Sequence, residues 1–324
     1  MDLLLKQVQA ALLVIVHKSK INSYFFYVII IEGDMMLIIG SHVSFGKEQL
    51  LGAVKLMLSY EANALMFYTG APQNTMRSKI DEEYTKAAHL LMKENNINRE
   101  HIIAHAPYII NLANANPEKH AFSVSFLKGE IMRCKMLGVK YLVIHPGNRL
   151  DLTSEEAISN IIKALDEVLN IDVMILLETM AGKGTEVGSN LDELKMIIEG
   201  VKKPEYLGVC LDSCHLNDAG ININDLDEYL EEFNQKIGLH KIKACHINDS
   251  KNQLGDRKDR HENIGYGKIG FNPLIKMIYH DKLTGIPKIL ETPYIEEHAP
   301  YQAEIKMIKA KSFNHNLVSD VISS

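Results

Sequence analysis

Only four cysteines occur in the 324 residues, and no two of them form a Cys-x-x-Cys pair. That excludes a disulfide-stapled scaffold, and a chain of this length buries enough core to need no staples. Cys134, Cys210, Cys214 and Cys245 read as buried, reduced thiols, so the expected location is cytoplasmic. Long apolar runs are lacking as well. Ala11 to Val16 is cut by His17-Lys18-Ser19-Lys20, and Tyr24 to Ile31 is only eight residues. A membrane span takes roughly 20. With no basic opening and no small-residue cleavage site, a signal peptide is not expected either. Positive charge is not in excess: the formal net charge is −6. That excludes a generic basic nucleic-acid coat and leaves room for a local positive face. No Gly-x-Gly-x-x-Gly follows the first strand run, which speaks against a dinucleotide fold. No low-complexity stretch or linker appears after residue 36.

What is present is a strand–helix alternation that starts at residue 37. Eight strand runs are expected, at 37–44, 64–69, 101–106, 141–146, 173–179, 207–213, 242–248 and 288–292. Thr153-Ser154-Glu155-Glu156 reads as a capping box, with Ala157, Ile158, Ile161, Ile162, Leu165, Val168 and Leu169 at helical spacing behind it. Asn224-Asp225 is expected to open another helix, and Phe271-Asn272-Pro273 a third. Strands of this length separated by helices imply parallel pairing with right-handed crossovers. Eight such units close most naturally into a (β/α)8 TIM barrel.

The ends of these runs carry the chemistry. A strand has a packing reason to be apolar, and none to finish in histidine or carboxylate. Yet His105 ends the third run, His145 the fourth and Glu178 the fifth. Asp212 and His215 end the sixth, His246 and Asp249 the seventh, and Glu291 the eighth, while Asp259 and His261 lie in the loop after the seventh. Active sites of β/α barrels sit on that carboxyl-terminal face. Imidazoles with carboxylates are the ligand set of zinc or manganese. So many donors exceed the needs of one tetrahedral ion and point to two or three. Clusters of that kind serve phosphate-ester hydrolysis. Without cations, gathered carboxylates would repel one another.

The order of the motifs resembles the endonuclease IV family, the metal-dependent abasic-site endonucleases (AP endonuclease family 2). The resemblance rests on Gly40-Ser41-His42-Val43-Ser44, His105-Ala106-Pro107-Tyr108, His145-Pro146-Gly147, Leu177-Glu178-Thr179-Met180-Ala181-Gly182, Cys210-Leu211-Asp212-Ser213-Cys214-His215, His246-Ile247-Asn248-Asp249-Ser250, Asp259-Arg260-His261 and Leu290-Glu291-Thr292-Pro293. It covers about residues 37 to 312. One departure is visible: the loop Phe45-Gly46-Lys47 is shorter than the family's usual one.

The resemblance implies three zinc ions, with manganese an alternative in part. His105, His145 and Glu178 would take the first. Glu178, Asp212, His246 and Glu291 would take the second, with Glu178 as a catalytic bridge. His215, Asp259 and His261 would take the third. It implies cleavage 5′ to an abasic site in double-stranded DNA, leaving a 3′-hydroxyl and a 5′-deoxyribose phosphate. Tyr108 and Ile109 would push into the base stack, Gln73, Asn74 and Arg77 would face the minor groove, and Arg260 would meet a phosphate, with Lys183 and Lys258 nearby. It also implies a monomer.

Two rivals remain. A divalent-metal sugar isomerase of related barrel type would want an aromatic sugar cradle and a strand-end lysine, and the chain has no tryptophan. A DNA-damage binder without turnover would be expected to lack ligands. Residues 1–35 read as an appendage outside the endonuclease domain, 36–324. The stretch Glu32-Gly33-Asp34 can encode a ribosome-binding sequence just before Met35-Met36, so a translation start at Met36 is expected.

Overall fold

The structure is a computed structural model that describes residues 14–21, 24–31, 37–169 and 172–323, the first two segments through their backbone pairing. The chain divides after Leu37 into two units. In the first, Val14–Ile21 pairs antiparallel with Tyr24–Ile31, from Val14↔Ile31 to Ile21↔Tyr24. The stretch Glu32 to Met36, with the expected translation start, lies outside the described residues.

The second unit is a (β/α)8 TIM barrel. Its strands are β1 (Ile39–His42), β2 (Ala64–Tyr68), β3 (Ile102–His105), β4 (Tyr141–Ile144), β5 (Met174–Glu178), β6 (Leu207–Asp212), β7 (Ile242–Ile247) and β8 (Lys288–Leu290). Each pairs in parallel with the next, and β8 pairs with β1 to close the ring. Closure is tight enough at β1 that a Cβ on Gly40 would lie 1.6 Å from the Ala64 carbonyl oxygen, so only glycine fits.

The connecting helices are α1 (Gln49–Ser59), α2 (Glu82–Glu94), α3 (Pro117–Leu137), α4 (Ser154–Val168), α5 (Leu191–Gly200), α6 (Ser213–Asp218), α7 (Leu226–Lys236), α8 (Phe271–Ile278), α9 (Tyr301–Lys309) and α10 (Leu317–Ile322). Helix α4 starts at the expected capping box. The Thr153 hydroxyl accepts from the Glu156 amide at 3.2 Å, and the Glu156 carboxylate accepts from the Thr153 amide at 3.0 Å. Its buried stripe is Ala157, Ile158, Ile161, Ala164, Leu165 and Val168. Each larger aliphatic chain so buried contributes roughly 1.5–3 kcal/mol.

Two expectations need correction. The Asn224-Asp225 start is right at Asp225, the N-cap of α7, whose buried residues are Leu226, Tyr229, Leu230 and Phe233, but Asn224 belongs to a 3₁₀ turn at Ile223–Asp225 capped by Asn222, which accepts from the Asn224 amide at 3.0 Å. All eight strands exist, but each ladder stops one or two residues before the expected run does. His105, Glu178 and Asp212 are the last residues of their ladders and His246 the last but one of its own, while His145 and Glu291 stand just past theirs. Asp249 lies past the end of β7 at Ile247, in a two-residue strand, Asp249–Ser250, paired antiparallel with His261–Glu262.

The barrel interior explains how the site is placed. Ala64, Met66, Ile103, Val143, Leu176, Cys210, Ala244 and Ile289 form one buried apolar cluster. Side chains two residues apart on a strand share a face. Two positions after these core residues stand Tyr68, His105, His145, Glu178, Asp212, His246 and Glu291. The pleat that buries the apolar layer therefore stacks a polar layer directly above it.

Candidate metal centre

Glu178 stands at the middle of that polar layer, 1% exposed. Its carboxylate oxygens lie 3.1 Å from His105 Nε2, 3.1 Å from His145 Nε2, 3.4 Å from His215 Nδ1 and 2.9 Å from His246 Nδ1. Among the described residues no lysine or arginine pairs with it. Burial alone would push its carboxyl up. The charges of His246 and His145, with hydrogen bonds from His105 and His145, outweigh burial and hold it well below the usual carboxylate range.

All nine expected ligands come together, in three groups whose donor atoms lie within 4.8 Å of one another. These are His105, His145 and Glu178; Glu178, Asp212, His246 and Glu291; and His215, Asp259 and His261. A fourth overlapping group, Asp212, Cys214 and His261, was not expected. Burial lowers the imidazoles of His215 and His246, but Asp212, Asp259 and Glu178 around the first, and Cys210, Glu291 and Glu178 around the second, outweigh it and hold both well above the usual range. The Glu291 carboxyl is pushed up by burial but held far down by His246.

Local hydrogen bonds aim the ring nitrogens. His105 Nδ1 lies 2.7 Å from the Ala106 carbonyl, His215 Nδ1 2.9 Å from that of Thr179, and His261 Nδ1 3.2 Å from that of Glu291. A carbonyl only accepts, so each Nδ1 carries a proton, and Nε2 is the atom each ring would offer a cation on losing its own proton to it. Carboxylates are oriented too. Asp212 caps α6 by accepting from the His215 amide at 2.9 Å. Asn248 Nδ2 donates to Asp212 Oδ2 at 2.8 Å, and its Oδ1 accepts from the Glu291 amide at 2.8 Å. The donor set and its burial suit cations. His261 Nε2 is buried without a hydrogen-bond partner, His246 turns Nδ1 to Glu178 and Glu291 at 2.9 and 3.0 Å, and five imidazoles with four carboxylates match the preferences of zinc.

Asp249, the tenth polar residue near these strand ends, does different work. It accepts from the amides of Ser250, Gly265, Gly267, Ile269 and Gly270 at 2.8–3.3 Å, folding the 265–270 loop around itself. A Cβ on Gly267 would sit 2.4 Å from Asp249 Oδ1.

A cavity of about 500 Å³ opens onto the cluster, with Tyr68, Tyr108, Asn148, Lys183 and Glu186 among the residues that join the ligands in its wall. A larger hollow of about 930 Å³ lies elsewhere, around His89, Arg99, Lys135 and Lys140, and touches none of the ligand groups. The chemistry, rather than the size, picks out the candidate site.

The expected DNA-contacting residues all lie on loops at the same barrel end. Tyr108 is 57% exposed, its ring edge-on to Tyr68 at 5.6 Å, and Ile109 beside it is half-buried. Gln73, Asn74, Lys258 and Arg260 sit on the same rim, all four exposed. Arg77 is not a free cation. Its Nε pairs with the buried Glu130 carboxylate at 2.7 Å, and its Nη1 donates to the carbonyls of Ala71, Asn74 and Met76 at 2.9–3.3 Å. Arg77 thereby folds the loop that carries Gln73 and Asn74. Arg133 pins the same loop from α3, donating to Thr69 O at 2.7 Å and Ser78 O at 2.6 Å.

Two members of the polar layer were missed by the sequence reading. Tyr68 pairs in register with His105, and His42 lies 4.9 Å from Tyr68, ring to ring. Burial lowers the His42 imidazole to about 4, against the pull of Glu291, so it is neutral. The strand-end pattern that marked the ligands would have found both.

Comparison with known proteins agrees with this geometry. Residues 54–311 match the AP_endonuc_2 family model, a xylose isomerase-like TIM barrel. The chain is 51% identical over 285 residues to a Mesoplasma florum protein named Probable endonuclease 4, covering 86% of this chain and 97% of that one. It superposes on endonuclease IV from Thermus thermophilus with a TM-score of 0.74 and 28% identity, over 84% of this chain and 98% of the other. A D-tagatose 3-epimerase-like protein shares the fold alone, at 20% identity and a TM-score of 0.62, over 87% of this chain and 99% of that one. Fold, site and relatives define an enzyme, a hydrolase of the nuclease class. The chain belongs to the endonuclease IV family.

Proposed function

We propose that this protein is a zinc-dependent abasic-site endonuclease of base-excision repair. It hydrolyses the phosphodiester 5′ to an abasic site in double-stranded DNA and leaves a 3′-hydroxyl and a 5′-deoxyribose phosphate. The observation that carries the reading is the gathering of nine donors into three groups at one barrel mouth, in a chain of the endonuclease IV family. His105, His145 and Glu178 would hold one ion, Glu178, Asp212, His246 and Glu291 a second, and His215, Asp259 and His261 a third, with manganese an alternative in part. When bound, the ions supply Lewis-acid charge at the phosphate and acidify water.

The chain's own residues select and orient the substrate. Tyr108, with its ring exposed beside the cavity, offers a flat face to the base stack, and Ile109 adds an apolar edge. Gln73 and Asn74 read the groove from a loop held rigid by Arg77. Arg260, Lys183 and Lys258 offer positive charge to phosphates despite the net charge of −6. The protein acts as a cytoplasmic monomer, and residues 1–35 take no part in the site. No helix among the described residues is long and apolar enough to cross a membrane.

The sugar-isomerase alternative draws only on the shared fold. Two ions on an isomerase site would leave the His215, Asp259 and His261 group without a task. The test is to incubate the protein with a duplex holding a single abasic analogue, with the intact duplex, and with ketose and aldose sugars. The expected result is one cut, 5′ to the lesion, with the intact duplex and the sugars unchanged. Sugar isomerisation without strand cleavage would overturn the proposal.

A further inference from the structure

The loop that brings Asp259 and His261 to the cluster has neither helix nor strand from Lys251 to Arg260. Within it Arg257 and Asp259 have φ values of +55° and +56°, in the left-handed region that side chains other than glycine disfavour. Such a loop needs an external hold, and the end of α6 supplies one. The Asp218 side chain is 0% exposed. Its Oδ2 accepts from the Asp259 amide at 2.8 Å, the Lys258 amide at 3.3 Å and Asn252 Nδ2 at 2.7 Å. Its Oδ1 accepts from the Ser250 hydroxyl at 2.7 Å and Asn217 Nδ2 at 3.0 Å. The Asp218 carbonyl accepts from the Arg257 amide at 3.0 Å, and that of Asn217 from the Gly255 amide at 2.9 Å.

Asp218 also stands three residues after His215, on the same turn of α6. One short helix therefore presents the His215 ring and the carboxylate that fixes its partner. Across the gap His215 Nε2 lies 3.0 Å from Asp259 Oδ1, and His261 Nε2 lies 3.5 Å from the same oxygen. We infer that Asp218 is a positioning residue for the His215, Asp259 and His261 group, holding the Asp259 backbone so that the three donors converge on one point. The inference rests on reading that group as an ion site, as proposed above. The clamp uses protein groups alone, so it persists in metal-stripped protein. Groups that orient a ligand in this way matter to affinity almost as the ligand does.

Asp218→Asn tests it. The side chain keeps its volume and one acceptor oxygen, while the other becomes an NH₂ facing donors. Zinc binding to stripped wild-type and variant protein is titrated and counted by mass spectrometry of the metal. The inference expects one ion of the set to be held about 10–100-fold more weakly in the variant and the others as in wild type, with excess zinc restoring occupancy. Unchanged zinc affinities with a lower melting temperature of the stripped protein would show Asp218 to be structural only, and would overturn it. Equal weakening of every ion would overturn it too. A wild-type protein that binds no zinc would refute the metal-centre reading itself, and the inference with it. A second measurement needs no variant: amide hydrogen exchange of stripped wild-type protein. The Lys258 and Asp259 amides should exchange more slowly than exposed amides of the same loop, and equal rates would overturn the clamp.

Discussion

Glu178 is the side chain on which the cluster turns, because it touches histidines from β3, β7 and α6 and the one that follows β4. Glutamine keeps its shape but offers one acceptor oxygen and no charge. Glu178→Gln should fold, bind abasic duplex, carry about one ion fewer and lose turnover on the order of 10², the loss typical of one electrostatic stabiliser. Near-wild-type single-turnover cleavage with full zinc content would remove Glu178 from the reaction. A second residue gives a pH prediction. Glu304 in α9 is fully buried and accepts from the Thr292 hydroxyl, the Ile264 amide at 2.9 Å and Asn263 Nδ2 at 3.2 Å. Burial pushes its carboxyl up to about 7 in spite of these bonds. The folded state then binds a proton that the unfolded chain releases at the ordinary carboxylate pKa, so between about pH 4.5 and 7 stability falls as pH rises. Glu304→Gln needs no proton and should be flatter across that window, more stable than wild type at pH 8 by on the order of 2 kcal/mol. Denaturant midpoints of both proteins at pH 5, 6, 7 and 8 decide it, and parallel profiles would contradict it. At this scale the ligands were legible because a histidine or carboxylate at a strand end has no packing excuse. The same pattern marks His42 and Tyr68, which end β1 and β2 but were passed over because neither is a ligand in the pattern of the family. The holding roles of the buried Asp218 and Asp249 were also hidden, since they depend on loop groups that only the fold brings to them.

At the scale of elements, the eight strands were readable from short apolar runs, and their order from the helices between them. Their carboxyl ends were not, because hydrogen bonding to the neighbouring strand stops one or two residues before the expected run does. The loops were the least legible part. Arg77 reads as a surface cation in sequence, yet Glu130, 53 residues away on α3, commits it to folding the loop after β2. The amino-terminal hairpin carries no proposed ligand, and the barrel closes from Ile39 onward. A chain starting at Met36 should therefore keep the specific activity of the longer one. A severalfold loss in the cleavage rate would assign residues 1–35 a part in the enzyme.

The whole molecule uses its barrel as a jig. Seven strands lift the polar layer one pleat above the apolar one, so the site's geometry follows from the closure of the core. That layout is shared with a sugar epimerase-like protein at the level of the fold, so what sets this chain apart is the set of donors gathered at the mouth. The central claim, that three groups of ligands together make a phosphodiesterase, is tested most directly by reconstitution. Protein stripped with chelator is refilled stepwise with zinc, and cleavage of a duplex holding one abasic analogue is measured against ions bound per chain. The account predicts no cleavage by stripped protein and activity that reaches its full value only near three ions per chain. Cleavage by stripped protein, or full activity at one ion, would contradict it.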